Sequence, residues 1–361
     1  MIIPVQQINR LLLLACAPFL GALVWLLAQQ AHIELPALIR PSAQAATAAA
    51  GPLLAGAQTT AAKLDLAQAD AAQIKSTIEQ YYEVYAKSAA QMNAMLSAAT
   101  AQAARPGLIY DSRITARLGQ PLRQASSGNI DLKLFALSDT HYNGYALKVN
   151  LKNDKAVKLV LGKDKLGSSE TTLEASSRYG AIAAINAGGF ADDNRGRRYP
   201  MDTTVIGSKY VNGFFPTNND TVFIGLDQKL RLIGGKFSSQ SELDKLQPLM
   251  GSTFVPTLLQ SGAKAAIPAR WQTSPVRAAR TIVGNYKNDQ LLFIVTDGRD
   301  ESGNSGATLA ELQDRLQALG VRDAYNLDGG GSSTLVFNGT VINHPSDGRL
   351  RPLATHLLFF K

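Results

Sequence analysis

Residues 326–339 read NLDGGGSSTLVFNG. Asp328 closes an apolar stretch, three glycines follow, and Ser-Ser-Thr opens a second apolar run. Glycine loses more conformational freedom on folding than any other residue. Three in a row beside a carboxylate therefore mark tight backbone geometry or the close approach of another group. A plain turn needs only one or two. The arrangement of strand, polar side chain and glycine recurs upstream. AAINAGGF (183–190) places Asn186 before Gly188 and Gly189, and LLFIVTDGRD (291–300) places Asp297 before Gly298 and Arg299. VRAARTIVG (276–284) sets Arg277, Arg280 and Thr281 at the start of another apolar run. Strand ends hold polar groups rigidly while their loops bring them together. Glycines there let a ligand reach backbone N–H groups, which can cradle an anion. Arg280 and Arg299 add forked, permanently charged donors suited to phosphate. Taken singly, Asp297-Gly298 reads as a turn, Asn186 as a turn residue and Arg277 as a surface charge.

Outward from these motifs, residues 108–361 alternate short apolar runs with turn residues. LKLFALS, YALKVNLK, TVFIGL, KLRLIG and ATHLLFF are examples. Helices are expected over 170–179 and over 308–319, the latter with apolar residues at helical spacing and a stop at Gly320. The expected fold class is α+β: a mixed β-sheet catalytic domain with flanking helices, in one domain of ordinary size.

The N-terminal part has a different texture. Residues 11–28, LLLLACAPFLGALVWLLA, carry no charge and come close to the length that spans a membrane. Arg10 precedes them, so the positive-inside rule places the N-terminus in the cytoplasm and the rest of the chain outside. An uncleaved anchor over 1–30 is favoured over a cleaved signal peptide, which would give a secreted protein. Cys16, the only cysteine, reads as a small residue of that span, and no disulfide can form within one chain. Residues 31–107 are rich in Ala and Gln, with Leu64, Ile74, Ile78, Tyr81, Tyr82 and Tyr85 at roughly helical spacing. They predict one or two long helices, a stalk through which copies of the chain could associate, ended by Arg105-Pro106-Gly107. A partly disordered linker is the alternative.

The formal net charge of +8 favours an anionic partner. The basic residues are scattered without aromatic interleaving, which argues against nucleic acid. The carboxylates, Asn186 and the glycine loops could hold Ca²⁺ or Mg²⁺, but the spacing matches no EF-hand and no His/Cys cluster offers a zinc site. GGGSS fails the G-x-S-x-G pattern of serine hydrolases. No cofactor is therefore expected.

Four stretches, in this order, resemble the phosphodiester glycosidase family: AINAGGF (184–190), GSTFVPTLLQSG (251–262), RAARTIVG (277–284) and the long segment 293–359 that contains the glycine triplet. The similarity covers about 130–361. Where the family usually has Pro-Arg-Thr, this chain has Ala279-Arg280-Thr281. The resemblance implies hydrolysis of a sugar-1-phosphodiester, with a glycosyl-phosphate or anionic polysaccharide of the cell wall or exopolysaccharide as substrate; the alternatives are a non-catalytic cell-wall polysaccharide-binding protein and a glycosidase acting on a non-phosphorylated glycan. Such a transition state carries oxocarbenium character at the sugar and extra negative charge on the departing phosphate. On that reading Asp328, with Asp297 second, is nucleophile or base. Arg280, Arg299 and the N–H groups of Gly329, Gly330 and Gly331 stabilise charge. Asn186, Thr281 and Ser332 hydrogen-bond sugar or phosphate. His344 and Asp347, in NHPSDG, either line the site or form a structural turn.

Overall fold

The computed structural model describes residues 43–361 apart from 194, 219, 300–302 and 304, with side chains from residue 54 onward. The chain divides into two units, Met1–Ser97 and Ala98–Lys361. The expected anchor over 1–30 and the start of the expected stalk lie outside the described residues. No helix among the described residues is long and apolar enough to cross a membrane.

The Ala/Gln-rich region forms a single helix, Ala43–Leu118, rather than a helix ended at Arg105-Pro106-Gly107. Pro106 removes one backbone donor, at a cost of about 3 kcal/mol in a helix interior. Tertiary contacts beyond it offset that cost. Ile114 and Leu118 are buried in the core of the second unit. Asp111 pairs with the buried Lys148 and accepts from Gln290 Nε2 at 2.8 Å. Burial alone would raise the Asp111 pKa, but those two hydrogen bonds and the lysine charge hold it below the ordinary carboxylate value.

The second unit is α+β, with an eight-stranded sheet, two five-stranded sheets and a two-stranded ribbon. A mixed sheet was expected; every pairing among the described strands is antiparallel. Parallel neighbours need long crossovers, usually helical. Here most strands are joined by hairpins and loops. The strand Leu291–Thr296 is buried along its whole length, which is why it reads as an unbroken apolar run. Phe293 and Val295 face a core shared with the other sheets, where Ile185, Ile224 and Phe359 meet them. Leu292 and Ile294 face the opposite core, which is covered by the helix Leu309–Ala318. That helix is set by a Thr308/Glu311 capping box and buries Leu309, Leu312 and Leu316. Each leucine contributes about 1.5–3 kcal/mol. The helix Thr172–Tyr179 carries an equivalent box from Thr171 and Glu174 and ends at the left-handed Gly180.

Candidate active site

Antiparallel pairing explains how distant motifs meet. The strand Thr281–Asn285 lies between Leu291–Thr296 and Asp323–Leu327 and runs opposite to both. Thr281 is opposite Val295 on one side and Leu327 on the other. Arg280-Thr281 therefore enters the sheet at the rim where Asp297 and Asp328 leave it. The strand Ala183–Asn186 of a second sheet ends at the same place. Buried Asn186 joins the two sheets. Its Nδ2 donates to the Asp328 carbonyl at 2.6 Å. Its Oδ1 accepts from Thr281 Oγ1 at 2.9 Å and from the Thr334 N–H at 3.0 Å. Thr281 Oγ1 also lies 3.2 Å from Ser333 Oγ. Asn186 and Thr281 thus spend these polar atoms on the protein framework that holds the Asp328 backbone.

Asp328 is half-buried, and loss of solvent pushes its carboxyl up to about 6. The Ser332 hydroxyl, the Arg351 charge, the Gly329 N–H at 3.0 Å from Oδ1 and the Arg198 charge pull the other way. A carboxyl tuned near the working pH can exist in either protonation state, as an acid–base or nucleophilic role requires. Buried Ser332 links Asp328 to Arg351, whose Nη1 donates to Ser332 Oγ at 3.3 Å. The same guanidinium grips Asp347 Oδ2 through Nε at 3.1 Å and Nη2 at 2.6 Å. Arg198 donates Nε to Asp192 and lies over the Phe190 ring, 4.7 Å from its centroid.

The glycines have separate reasons. A Cβ on Gly329 would come within 3.0 Å of the Ala279 carbonyl oxygen. Gly330 has φ +59°, a left-handed conformation, with open space beside it. A Cβ on Gly331 would collide with the Asp347 carboxylate and the Arg351 guanidinium. The group that presses on the triplet within the protein is thus an ion pair at Gly331, and open space remains at Gly330. Gly188 and Gly189 are packed against Ser252 and Phe254, and Gly298 against Ser346. These three allow the loops to close on the sheets.

Asp297 is buried, and its Oδ1 accepts from the His344 N–H at 2.7 Å. The His344 ring is largely exposed, its Nδ1 3.6 Å from Asp297 Oδ2. Arg280 is buried and donates Nε to the Ala307 carbonyl at 3.3 Å and Nη2 to the Pro275 carbonyl at 2.9 Å. It has no carboxylate in ion-pair range among the described residues, and burial lowers its pKa to about 10. Arg299 is exposed beside its bridge to Ser305. Arg277 is paired with Glu311, tying its loop to the capped helix. Sequence reading missed Arg198 and Arg351. The only local signal was basic residues in GRRYP and GRLRP, which resemble surface charge until the fold brings them to Asp328. Among the described residues no group of three or more His, Cys, Asp or Glu gathers as a metal site.

The phosphodiester glycosidase family model matches residues 179–360. The mouse N-acetylglucosamine-1-phosphodiester alpha-N-acetylglucosaminidase is 44% identical over 72 residues, 20% of this chain and 14% of the mouse protein. The human protein of that name is 43% identical over 72 residues, again 20% of this chain and 14% of the relative. The chain therefore spans only a small part of the length of these relatives. A Bacillus subtilis prophage-derived protein, YomE, is 26% identical over 180 residues, 50% of this chain and 28% of YomE. Among solved structures, the zebrafish N-acetylglucosamine-1-phosphodiester alpha-N-acetylglucosaminidase catalytic domain, auto-inhibited by its pro-peptide, superposes with a TM-score of 0.55. It is 22% identical, and the match covers 67% of this chain and 87% of that one; the likeness is one of fold.

Proposed function

Since the chain belongs to the phosphodiester glycosidase family of hydrolases, we propose that it hydrolyses a sugar-1-phosphodiester at the sugar carbon, with Asp328 as the reacting carboxylate. The observation that carries this reading is the placement of the Asp328 carboxyl, whose Oδ1 accepts the Gly329 N–H at 3.0 Å and which faces the Ser332 hydroxyl held by Arg351, with burial raising its pKa. The phosphodiester is already a competent leaving group, so catalysis needs charge stabilisation more than a strong general acid. In its ionised form Asp328 either takes a proton from water as the water oxygen bonds to the anomeric carbon, or attacks that carbon itself before water completes the reaction. In both routes the bond from anomeric carbon to oxygen breaks. Its electron pair leaves with the phosphate monoester, and the proton ends on product or solvent. Arg351 and Arg198 supply positive charge at this rim, and in this proposal the exposed His344 ring meets the substrate.

The natural substrate in this proposal is a glycosyl-phosphate linkage in a cell-wall or extracellular polysaccharide, which the net charge of +8 suits. The apolar residues 11–28 would hold the protein to the membrane with the hydrolase outside.

The test incubates the full chain, in mild detergent, with UDP-N-acetylglucosamine and with methyl-phospho-N-acetylglucosamine in ¹⁸O-water. Free sugar released together with a phosphate product that carries no ¹⁸O, lost in Asp328→Asn although that variant melts no lower than the native chain, supports the reaction. Label in the phosphate would mean P–O cleavage and sink the mechanism.

A further inference from the structure

The first unit carries an apolar stripe that the hydrolase reading does not use. Between residues 57 and 99 the helix has neither Gly nor Pro. Its apolar residues recur with alternating steps of three and four. One row of heptad positions, a, holds Leu64, Ala71, Ile78, Tyr85 and Met92. The next, d, holds Ala67, Ile74, Tyr81 and Met95, with Ser88 as a polar break. Tyr82, Val84 and Leu96 fall on the flanking e and g positions and widen the stripe. All the large side chains among these are exposed; Ile74, Ile78 and Tyr85 have relative exposures of 60%, 61% and 74%.

Two further features make this a pairing surface. First, the charges are segregated. Asp65, Glu79, Glu83 and Lys87 fall on the outer b, c and f positions, where Glu83 and Lys87 form an ion pair at 2.9 Å. Leu66 is the one large apolar residue on that outer face between Leu64 and Leu96. Second, the repeat is strictly seven residues. A straight helix drifts from such a repeat by about 20° per heptad, so the stripe stays in contact only with a helix of the same period supercoiled around it. Asp70 lies at g and Lys75 at the following e. In a parallel, in-register pair these positions face each other across the seam, and opposite charges there set orientation and partner.

We propose that residues 57–99 form a parallel, in-register coiled coil with a second copy of this chain, so that the protein is at least a dimer held through its long helix. Each seam then carries two Asp70–Lys75 pairs, one on either side. Ile74, Ile78, Tyr81 and Tyr85 pack as knobs into the facing helix. The proposal stands apart from the hydrolase reading, because every seam residue named belongs to the first unit and only Ala98 and Ala99 of the stretch fall in the second.

The experiment is sedimentation equilibrium of the full chain in non-ionic detergent, with bound detergent matched by solvent density. A mass of two or more chains is expected, falling to one in Ile78→Asp. Asp70→Lys and Lys75→Glu, each alone, should raise the dissociation constant about 10-fold by turning two attractions into two repulsions. Combined in one chain they should restore it, since the charges are then exchanged but still opposed. The melting transition of each variant, unchanged from the native chain, reports that the second unit is intact. A monomer at every concentration overturns the proposal, and so does association indifferent to Ile78→Asp. Failure of the double variant to recover overturns the parallel register.

Discussion

The side-chain amide of Asn186 donates to the main-chain carbonyl of Asp328 at 2.6 Å, so the position of the candidate nucleophile is fixed from a different sheet. Asn186 also accepts from Thr281 and Thr334. Asn186→Ala would leave the Thr334 N–H and the Thr281 hydroxyl without this acceptor in a buried setting, where each unmet group costs about 1–3 kcal/mol. The expected outcome is a urea midpoint lowered by the equivalent of about 2–4 kcal/mol, with an unchanged m-value. Sugar release should fall at least about 100-fold even well below the midpoint, since a small misplacement of a reacting group is enough for that loss.

The raised pKa of Asp328 has a sign that can be checked in stability and in rate. Its folded value, about 6, lies above the ordinary 3.8, so the fold favours the protonated carboxyl. The stabilisation is full below about pH 4 and is lost as pH rises through about 6. Ionised Asp328 therefore costs at most about 3 kcal/mol at neutral pH, at 1.36 kcal/mol per pKa unit. Asp328→Asn should abolish activity while raising stability at pH 7.5 by about 1–3 kcal/mol, and the gain should shrink towards pH 4. Since the mechanism needs the ionised form, kcat/KM of the native protein should rise with pH through a limb near 6. A mutant less stable than the native chain at pH 7.5 would contradict this account.

Arg351 is tied to Asp328 through Ser332 and lowers its pKa by charge. Arg351→Gln removes that charge, so the acidic limb should move above pH 6, the direction in which an acid shifts when a nearby cation is lost. KM for a phosphodiester should rise as well if the guanidinium also meets the departing phosphate. A pH–rate profile measured on both proteins separates the two effects, because only the first changes the position of the limb.

How much of this was readable in the sequence follows from the range of each signal. The helix Leu309–Ala318 was legible because its apolar spacing and the stop at Gly320 all lie within a few turns. The carboxylates were legible because each follows an apolar run and precedes glycine. The passage of the helix through Pro106 was not, because the local penalty is outweighed by Ile114, Leu118 and the Asp111–Lys148 pair, which involve distant strands. The antiparallel order was hidden for the same reason: apolar runs do not state the direction of their neighbours. Arg351 escaped notice because a lone arginine in a polar loop has no pattern. It becomes a functional candidate only when the return of the strand Thr355–Phe359 beside Ala183–Asn186 brings its loop to the rim.

The glycine triplet offers a test in which neighbouring positions should answer differently. Gly330 has a left-handed backbone but open space around its missing side chain. Gly330→Ala should cost about 1 kcal/mol of backbone strain and leave the acidic limb of the pH–rate profile near 6. Gly331 has no positive φ, yet a methyl there would occupy the place of the Asp347–Arg351 pair. Gly331→Ala should cost about 1–3 kcal/mol through overpacking. It should also push Arg351 away from Ser332, so the limb should move upward as it does in Arg351→Gln. Thermal melts and pH–rate profiles of the two alanine variants, side by side, give the answer. If Gly331→Ala leaves the limb in place while Gly330→Ala shifts it, the ion pair is not what the third glycine accommodates, and the charge linkage from Arg351 to Asp328 fails with it.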